Sequence, residues 1–237
     1  MSHYDLIGLP ADTPPKYLKI LQAAPANGLM VHEIYASVQG ESTYAGRPCT
    51  FVRLSACHLR CRYCDTPHAF GQGEPMSQAA VLERVAAAGP KLVELTGGEP
   101  LLQAEALPLM TALCDTGYEV LLETSGSLDI RPVDPRVIRI VDLKSPSSGE
   151  VERNRWDNLD ALRPHDEVKL VLGSREDYEW ARQVVRERNI PCPVLMGCVF
   201  DSLDPKDLVE WILQDELNVR FQLQMHKFIW DPRARGV

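Results

Sequence analysis

The chain's 237 residues predict an α/β protein with a mostly parallel sheet, and three observations lead there. From Thr50 onward, short apolar runs suited to strands alternate with stretches of helical periodicity, the pattern of successive βα units. A hydrophobic content of 45% is enough to bury the core of one such domain. Polar, glycine- or cysteine-rich turns directly follow several of the apolar runs, as ligand-facing loops do at the carboxyl ends of parallel strands.

In chain order, residues 1–28 read as an N-terminal appendage: Asp12-Thr13-Pro14-Pro15 and Ala24-Pro25-Ala26-Asn27-Gly28 bracket a short helical stretch over 16–23. Residues 29–237 form the single main domain. Its predicted strands are 50–54, 91–96, 119–123, 137–143, 167–172, 193–199 and 219–223. Ser77 caps a helix that buries Val81, Leu82, Val85 and Ala88. Pro108 starts a second helical piece or kinks one running over 101–113. Ser174 with Asp177 resembles a capping box ahead of Tyr178, Ala181, Val184 and Val185. Asp204-Pro205 opens the helix that carries Leu208, Trp211 and Ile212.

Composition narrows the function classes. With 25 basic against 33 acidic residues, the net charge of -8 argues against nucleic acid or an anionic membrane as the main partner and favours a small molecule. Seven cysteines, an odd count with three in one loop, and no secretory leader pattern point to a reduced, cytoplasmic protein. No apolar run is long enough to span a bilayer.

Cys57-His58-Leu59-Arg60-Cys61-Arg62-Tyr63-Cys64 places three thiols on eight residues. A [4Fe-4S] cluster with cysteine on every iron needs four, so this C-x3-C-x2-C loop reads as three irons held and one open to chemistry. The competing reading is a structural zinc or iron-sulfur staple completed by Cys49, Cys114, Cys192 or Cys198. No second cysteine pair or short-spaced histidine set supports it, and those four cysteines read as packing residues. Gly97-Gly98-Glu99-Pro100 closes a strand with two glycines that admit close ligand approach and a glutamate suited to an ammonium group, although an unusual turn alone explains such glycines. Val38-Gln39-Gly40-Glu41-Ser42 carries side chains able to read a polar heterocycle, or is an ordinary loop. Arg53 is either a solvent-facing edge residue or a clamp for a carboxylate. Asp65-Thr66 offers hard oxygen ligands, or a cap. His226 is a lone histidine after the last strand, a structural residue or a site residue.

The cysteine loop with Tyr63 before its third cysteine, followed by Gly97-Gly98-Glu99-Pro100 at the end of the next predicted strand, resembles the radical S-adenosylmethionine superfamily. Further matches at Val38-Gln39-Gly40-Glu41, Phe51-Val52-Arg53, Cys64-Asp65-Thr66, Pro146-Ser147-Ser148 and residues 223–230 resemble, within it, the members that act on a carboxylated pterin. The resemblance covers about residue 30 to the end. It implies an incomplete (βα)6-type barrel with mostly parallel strands, and a homodimer. Cys57, Cys61 and Cys64 would bind the [4Fe-4S] cluster, whose open iron takes the amino and carboxylate groups of S-adenosylmethionine. Gly97, Gly98 and Glu99 would hold the methionine part, Tyr63 and Asp65 would lie near the adenosine, and Thr124, Ser125, Asp142, Leu143 and Lys144 would contact ribose and carboxylate. Val38, Gln39, Gly40, Arg53, Thr96 and His226 would bind the substrate, 6-carboxy-5,6,7,8-tetrahydropterin, and Thr66 a Mg2+ ion bridging to it.

The implied reaction is ring contraction to 7-carboxy-7-deazaguanine with loss of ammonia, a carbon-nitrogen lyase step in queuosine-type biosynthesis. A flavodoxin or ferredoxin would supply the electron. Ala56 departs from the pattern, standing where a glycine often precedes the first cysteine. Two rival readings differ in class. A glycyl-radical-enzyme activase shares the cysteine spacing but carries histidine-asparagine after the last cysteine instead of Asp65-Thr66. A non-catalytic iron-sulfur module would not need the Gly97-Gly98-Glu99-Pro100 turn.

Overall fold

A computed structural model describes residues 1–237. One nine-stranded sheet has the order β3-β1-β2-β4-β5-β6-β7-β8-β9. Its strands are β1 (Gly28–Val38), β2 (Pro48–Leu54), β3 (Glu74–Ser77), β4 (Leu92–Gly97), β5 (Glu119–Thr124), β6 (Ile138–Leu143), β7 (Glu167–Leu172), β8 (Val194–Cys198) and β9 (Arg220–Phe221). From β2 to β9 every pairing is parallel, while β1 pairs antiparallel with both β2 and β3. The strands at the two ends of this order are not paired to each other, so the parallel strands form the open, incomplete barrel the resemblance implies.

Helices α2 (Gln78–Ala88), α3 (Ala106–Asp115), α4 (Arg175–Glu187) and α5 (Pro205–Gln214) cross between parallel strands. Their starts follow local chemistry: Ser77 Oγ accepts from Ala80 N–H and Ser174 Oγ from Asp177 N–H, while Asp204 accepts from Lys206 N–H ahead of Pro205. The stretch around Pro108 resolves into a 3-10 turn at Pro100–Leu102 followed by α3, because a proline early in a helix gives up an N–H that has no intrahelical partner there.

Side-chain alternation along the strands decides what faces the site. Val52, Leu54, Val93, Leu95, Val120, Leu122, Val141, Leu143, Val168, Leu170 and Leu172 belong to a core of 38 buried residues shared with the helices. Their neighbours point the other way. At the amino ends those neighbours are apolar, with Phe51, Leu121 and Ile140 joining Cys49, Leu92 and Ile138 in a small plug. Toward the carboxyl ends they are Arg53, Glu94, Thr96, Glu123, Asp142 and Lys169, all of which line one cavity.

The structure departs from the sequence expectations in three places. The first strand is β1, over Gly28–Val38, ahead of the one expected at 50–54; its burial does not alternate, and it carries His32 and Glu33 in mid-strand. β3 is short and contains Pro75, which a strand tolerates at a sheet edge. The helical stretch at 16–23 consists of two 3-10 turns, Pro15–Tyr17 and Lys19–Ala23, and a short α1 (His3–Ile7) precedes them. Ile7 is fully buried in the main core, and its carbonyl accepts from Asp129 N–H at 2.8 Å.

Candidate active site

The loop after β2 and the turn after β4 are locked together by backbone. Glu99 N–H donates to Ala56 O at 2.7 Å, and Ala56 N–H to Ala69 O at 3.0 Å. A Cβ at Gly98 would stand 1.8 Å from Ala56 O, so only glycine permits the approach. Ala56 itself has φ of 75°, the left-handed region, which explains why a glycine suits that position. Alanine there costs about 1–2 kcal/mol, offset in part by its buried methyl.

Glu99 is not among the residues that line the cavity. It is fully buried and accepts from Leu101 N–H (3.0 Å), Thr124 Oγ1 (2.9 Å), Ser125 N–H (2.8 Å) and Ser125 Oγ (2.6 Å). The chain continues through Ser127 Oγ, 2.7 Å from Ser125 Oγ, to His58 Nε2 at 2.8 Å, in the cysteine loop. The glutamate therefore pins its turn to the end of β5 and to the loop. Leu143 is also outside the cavity, because it follows Asp142 and period 2 turns it into the helix-facing core.

The other expected residues meet in one cavity of about 580 Å3: Cys57, Cys61, Tyr63, Cys64, Asp65, Thr66, Gly97, Gly98, Thr124, Ser125, Asp142 and Lys144 with Val38, Gln39, Gly40, Arg53, Thr96 and His226. Cys57 is buried, and Cys61 and Cys64 are half-buried. Burial pushes the Cys57 thiol up to about 12 and Cys61 up to about 11, so holding them as thiolates takes a cationic centre. Cys57, Cys61 and Cys64 are the cysteines that line this cavity, and with no fourth cysteine among its lining residues they fit a cluster held at three irons.

Around the loop the polar groups are fixed. Tyr63 Oη lies 3.1 Å from Ser145 Oγ, which donates to Val171 O at 2.9 Å. Lys144 Nζ meets Asp142 Oδ2 at 2.7 Å, leaving Asp142 Oδ1 buried without a protein partner, an acceptor ready for a ligand hydroxyl or amine. Thr66 Oγ1 sits 3.9 Å from Cys64 Sγ, and Lys227 Nζ 3.8 Å from Asp65 Oδ2.

The same cavity holds a charged network of Lys169, Glu41, Glu94 and Glu123 that sequence reasoning left unassigned. Lys169 Nζ, buried, contacts Glu123 and lies 2.7 Å from Glu41 Oε2, whose Oε1 accepts from Gln224 Nε2 at 2.9 Å. Gln39 Nε2 donates to Glu94, and Thr96 Oγ1 to Glu123 Oε2 at 3.3 Å. Burial, with Glu123 nearby, pushes Glu94 well above the usual carboxylate range. Burial also pushes Glu41 up, but Lys169 and Gln224 outweigh it and hold Glu41 ionised. His226 packs on Gly40, where a Cβ would stand 2.3 Å from its Nδ1. Arg53 Nε donates to Glu33 Oε1 at 2.7 Å and its guanidinium to Tyr35 Oη at 3.2 Å, which settles it as an inward-facing residue. The network had a signal: Glu94, Glu123 and Lys169 are charges inside apolar strands. The carboxyl-terminal residues 232–237, which also line the cavity, had none.

Three thiols at one end of a parallel barrel, above a double-glycine turn that only glycine can close, define a radical S-adenosylmethionine protein. The model of the Radical SAM superfamily matches residues 52–143. The chain is 48% identical to the 7-carboxy-7-deazaguanine synthase of Chlorobaculum tepidum, over 90% of this chain and 98% of that protein. With that of Koribacter versatilis it shares 46%, over 88% of this chain and all of that protein. The chain belongs to the 7-carboxy-7-deazaguanine synthase family. The crystal structure of QueE from Escherichia coli has the same fold, with a TM-score of 0.66 at 23% identity over 82% of this chain and 92% of that one.

Proposed function

We propose that the chain converts 6-carboxy-5,6,7,8-tetrahydropterin to 7-carboxy-7-deazaguanine with loss of ammonia, as a carbon-nitrogen lyase of queuosine-type biosynthesis. The observation that carries this reading is that one cavity is lined both by the three thiols and by the side chains of Gln39, Glu41, Arg53 and Lys169. The superfamily implies a [4Fe-4S] cluster and S-adenosylmethionine, held here by Cys57, Cys61 and Cys64 and by the Gly97-Gly98 turn with Tyr63, Asp142 and Lys144. When bound, they supply a carbon-centred radical able to take a hydrogen atom from the substrate.

The chain's own residues orient and shield. Arg53 pairs with the substrate carboxylate, and Thr66 would offer a hydroxyl oxygen to a Mg2+ ion, a hard cation suited to such a ligand. Glu41, kept ionised by Lys169, accepts N–H groups of the pyrimidine ring, and Gln39 and His226 close over it. A fixed pose matters because a misplaced radical attacks protein instead. We further infer a homodimer in the cytoplasm, reduced by a flavodoxin or ferredoxin. No helix is long and apolar enough to cross a membrane.

The test is anaerobic reconstitution followed by incubation with the carboxytetrahydropterin, S-adenosylmethionine, Mg2+ and reductant. The expected result is 7-carboxy-7-deazaguanine by mass. An intact cluster that cleaves S-adenosylmethionine yet yields no such product overturns the substrate assignment.

A further inference from the structure

His32 and Glu33 are consecutive on a strand, where alternation would send their side chains to opposite faces. The register of β1 against β2 shifts between Val31 and Glu33, and this irregularity turns both toward His68, on the 3-10 turn Pro67–Phe70 after the cysteine loop. Donor atoms of the three residues lie within 4.8 Å of one another, and the two imidazoles are 4.9 Å apart between ring centres.

The surroundings are those of a ligand set. His32 Nδ1 lies 3.1 Å from Gln72 O, so the carbonyl takes its N–H and leaves Nε2 with the lone pair, the outer partner that metal-binding histidines use. Glu33 Oε1 accepts from Arg53 at 2.7 Å, which orients the carboxylate, while Oε2 lies beside Gly236 of the carboxyl-terminal tail. The charged groups facing His68 are Arg235, Arg53 and Glu33.

We propose that His32, Glu33 and His68 form a second metal site, distinct from the cysteine loop, for one divalent transition ion of the Zn2+ class. Two imidazoles and one carboxylate suit such an ion, whereas Mg2+ prefers an all-oxygen set. Arg53 and Arg235 oppose the added charge, so the ion is exchangeable. Bound, it cross-links β1 to the segment that follows the cysteine loop, at the rim of the cavity that Glu33 and His68 line.

The test uses untagged, cluster-loaded protein under anaerobic conditions, so that the cysteines are occupied. Equilibrium dialysis against Zn2+ in excess Mg2+ should retain one zinc per chain, X-ray absorption should show nitrogen and oxygen but no sulfur around it, and Zn2+ should raise the thermal midpoint. His32→Ala and His68→Ala should each weaken retention at least about tenfold, the scale on which even lost outer partners act. Zinc bound equally by wild type and both variants, zinc coordinated by sulfur, or no zinc retained by the wild type overturns the proposal. Should either variant lose its cluster, the wild-type absorption spectrum decides alone.

Discussion

At Gly98 the site depends on the absence of a single carbon. The Cβ of Gly98→Ala would meet the carbonyl of Ala56 at 1.8 Å, and backbone on both sides leaves no flexible side chain to yield. Overpacking of this kind costs about 1–3 kcal/mol or more, and here the strain falls on the residue next to Cys57. Gly98→Ala is expected to lower the unfolding free energy measured in urea by at least that amount, moving the midpoint down, and to weaken S-adenosylmethionine binding, both measurable on reconstituted protein. An unchanged midpoint would mean that the turn and the loop are not in contact. The glycine and the cysteines were legible as motifs because their spacing is local. The role of Glu99 was not, because its donors come from Thr124 and Ser125, 25 and 26 residues away.

Elements place charges where only a partner makes them tolerable. Glu94 sits inside β4 at 3% exposure, and burial, with Glu123 beside it, pushes its carboxyl well above the usual range. Its folded-state pKa lies above the unfolded value of 4.5, so its contribution to stability is fully present below pH 4.5 and is lost as pH rises toward the folded-state value. Glu94→Gln, which cannot titrate, should remove that decline; chemical denaturation at a series of pH values from 4.5 upward measures it, and identical slopes for wild type and variant would refute it.

The cysteine loop has its own clamp. Arg60 is sandwiched between the rings of Tyr17 at 3.5 Å and Phe70 at 4.2 Å, and donates to Cys57 O at 2.8 Å and Leu59 O at 2.6 Å. Such stacking is worth about 0.5–2 kcal/mol, and the two carbonyl bonds add to it. Arg60→Ala should speed loss of the cluster's visible absorbance under a chelator several-fold; equal rates would show the clamp to be idle. At this scale the parallel strands and their helices were legible from apolar runs and caps. The antiparallel pair β1 and β3 was not, since one mixes burial along its length and the other is four residues with a proline.

Across the whole molecule, the amino-terminal segment reaches into the domain. Ile7 is fully buried, and His3 Nε2 lies 2.7 Å from Leu101 O, just after the glycine turn. Deleting residues 1–9 should cost about 2 kcal/mol from the side chain alone, a fall in thermal midpoint of roughly 4–8 °C for a domain of this size. An unchanged midpoint in calorimetry would show the segment to be dispensable.

The sequence by itself determined the parallel α/β framework, the three-thiol loop and the glycine turn, since strand periodicity, helix caps and a closely spaced ligand set are properties of neighbouring residues. Only the tertiary structure decided that Lys169, Glu41, Glu94 and Glu123 share one buried network, that Glu99 and Leu143 turn away from the cavity, and that His32, Glu33 and His68 converge. These depend on which strands lie side by side and which face each residue presents, and no local pattern in the chain carries that information.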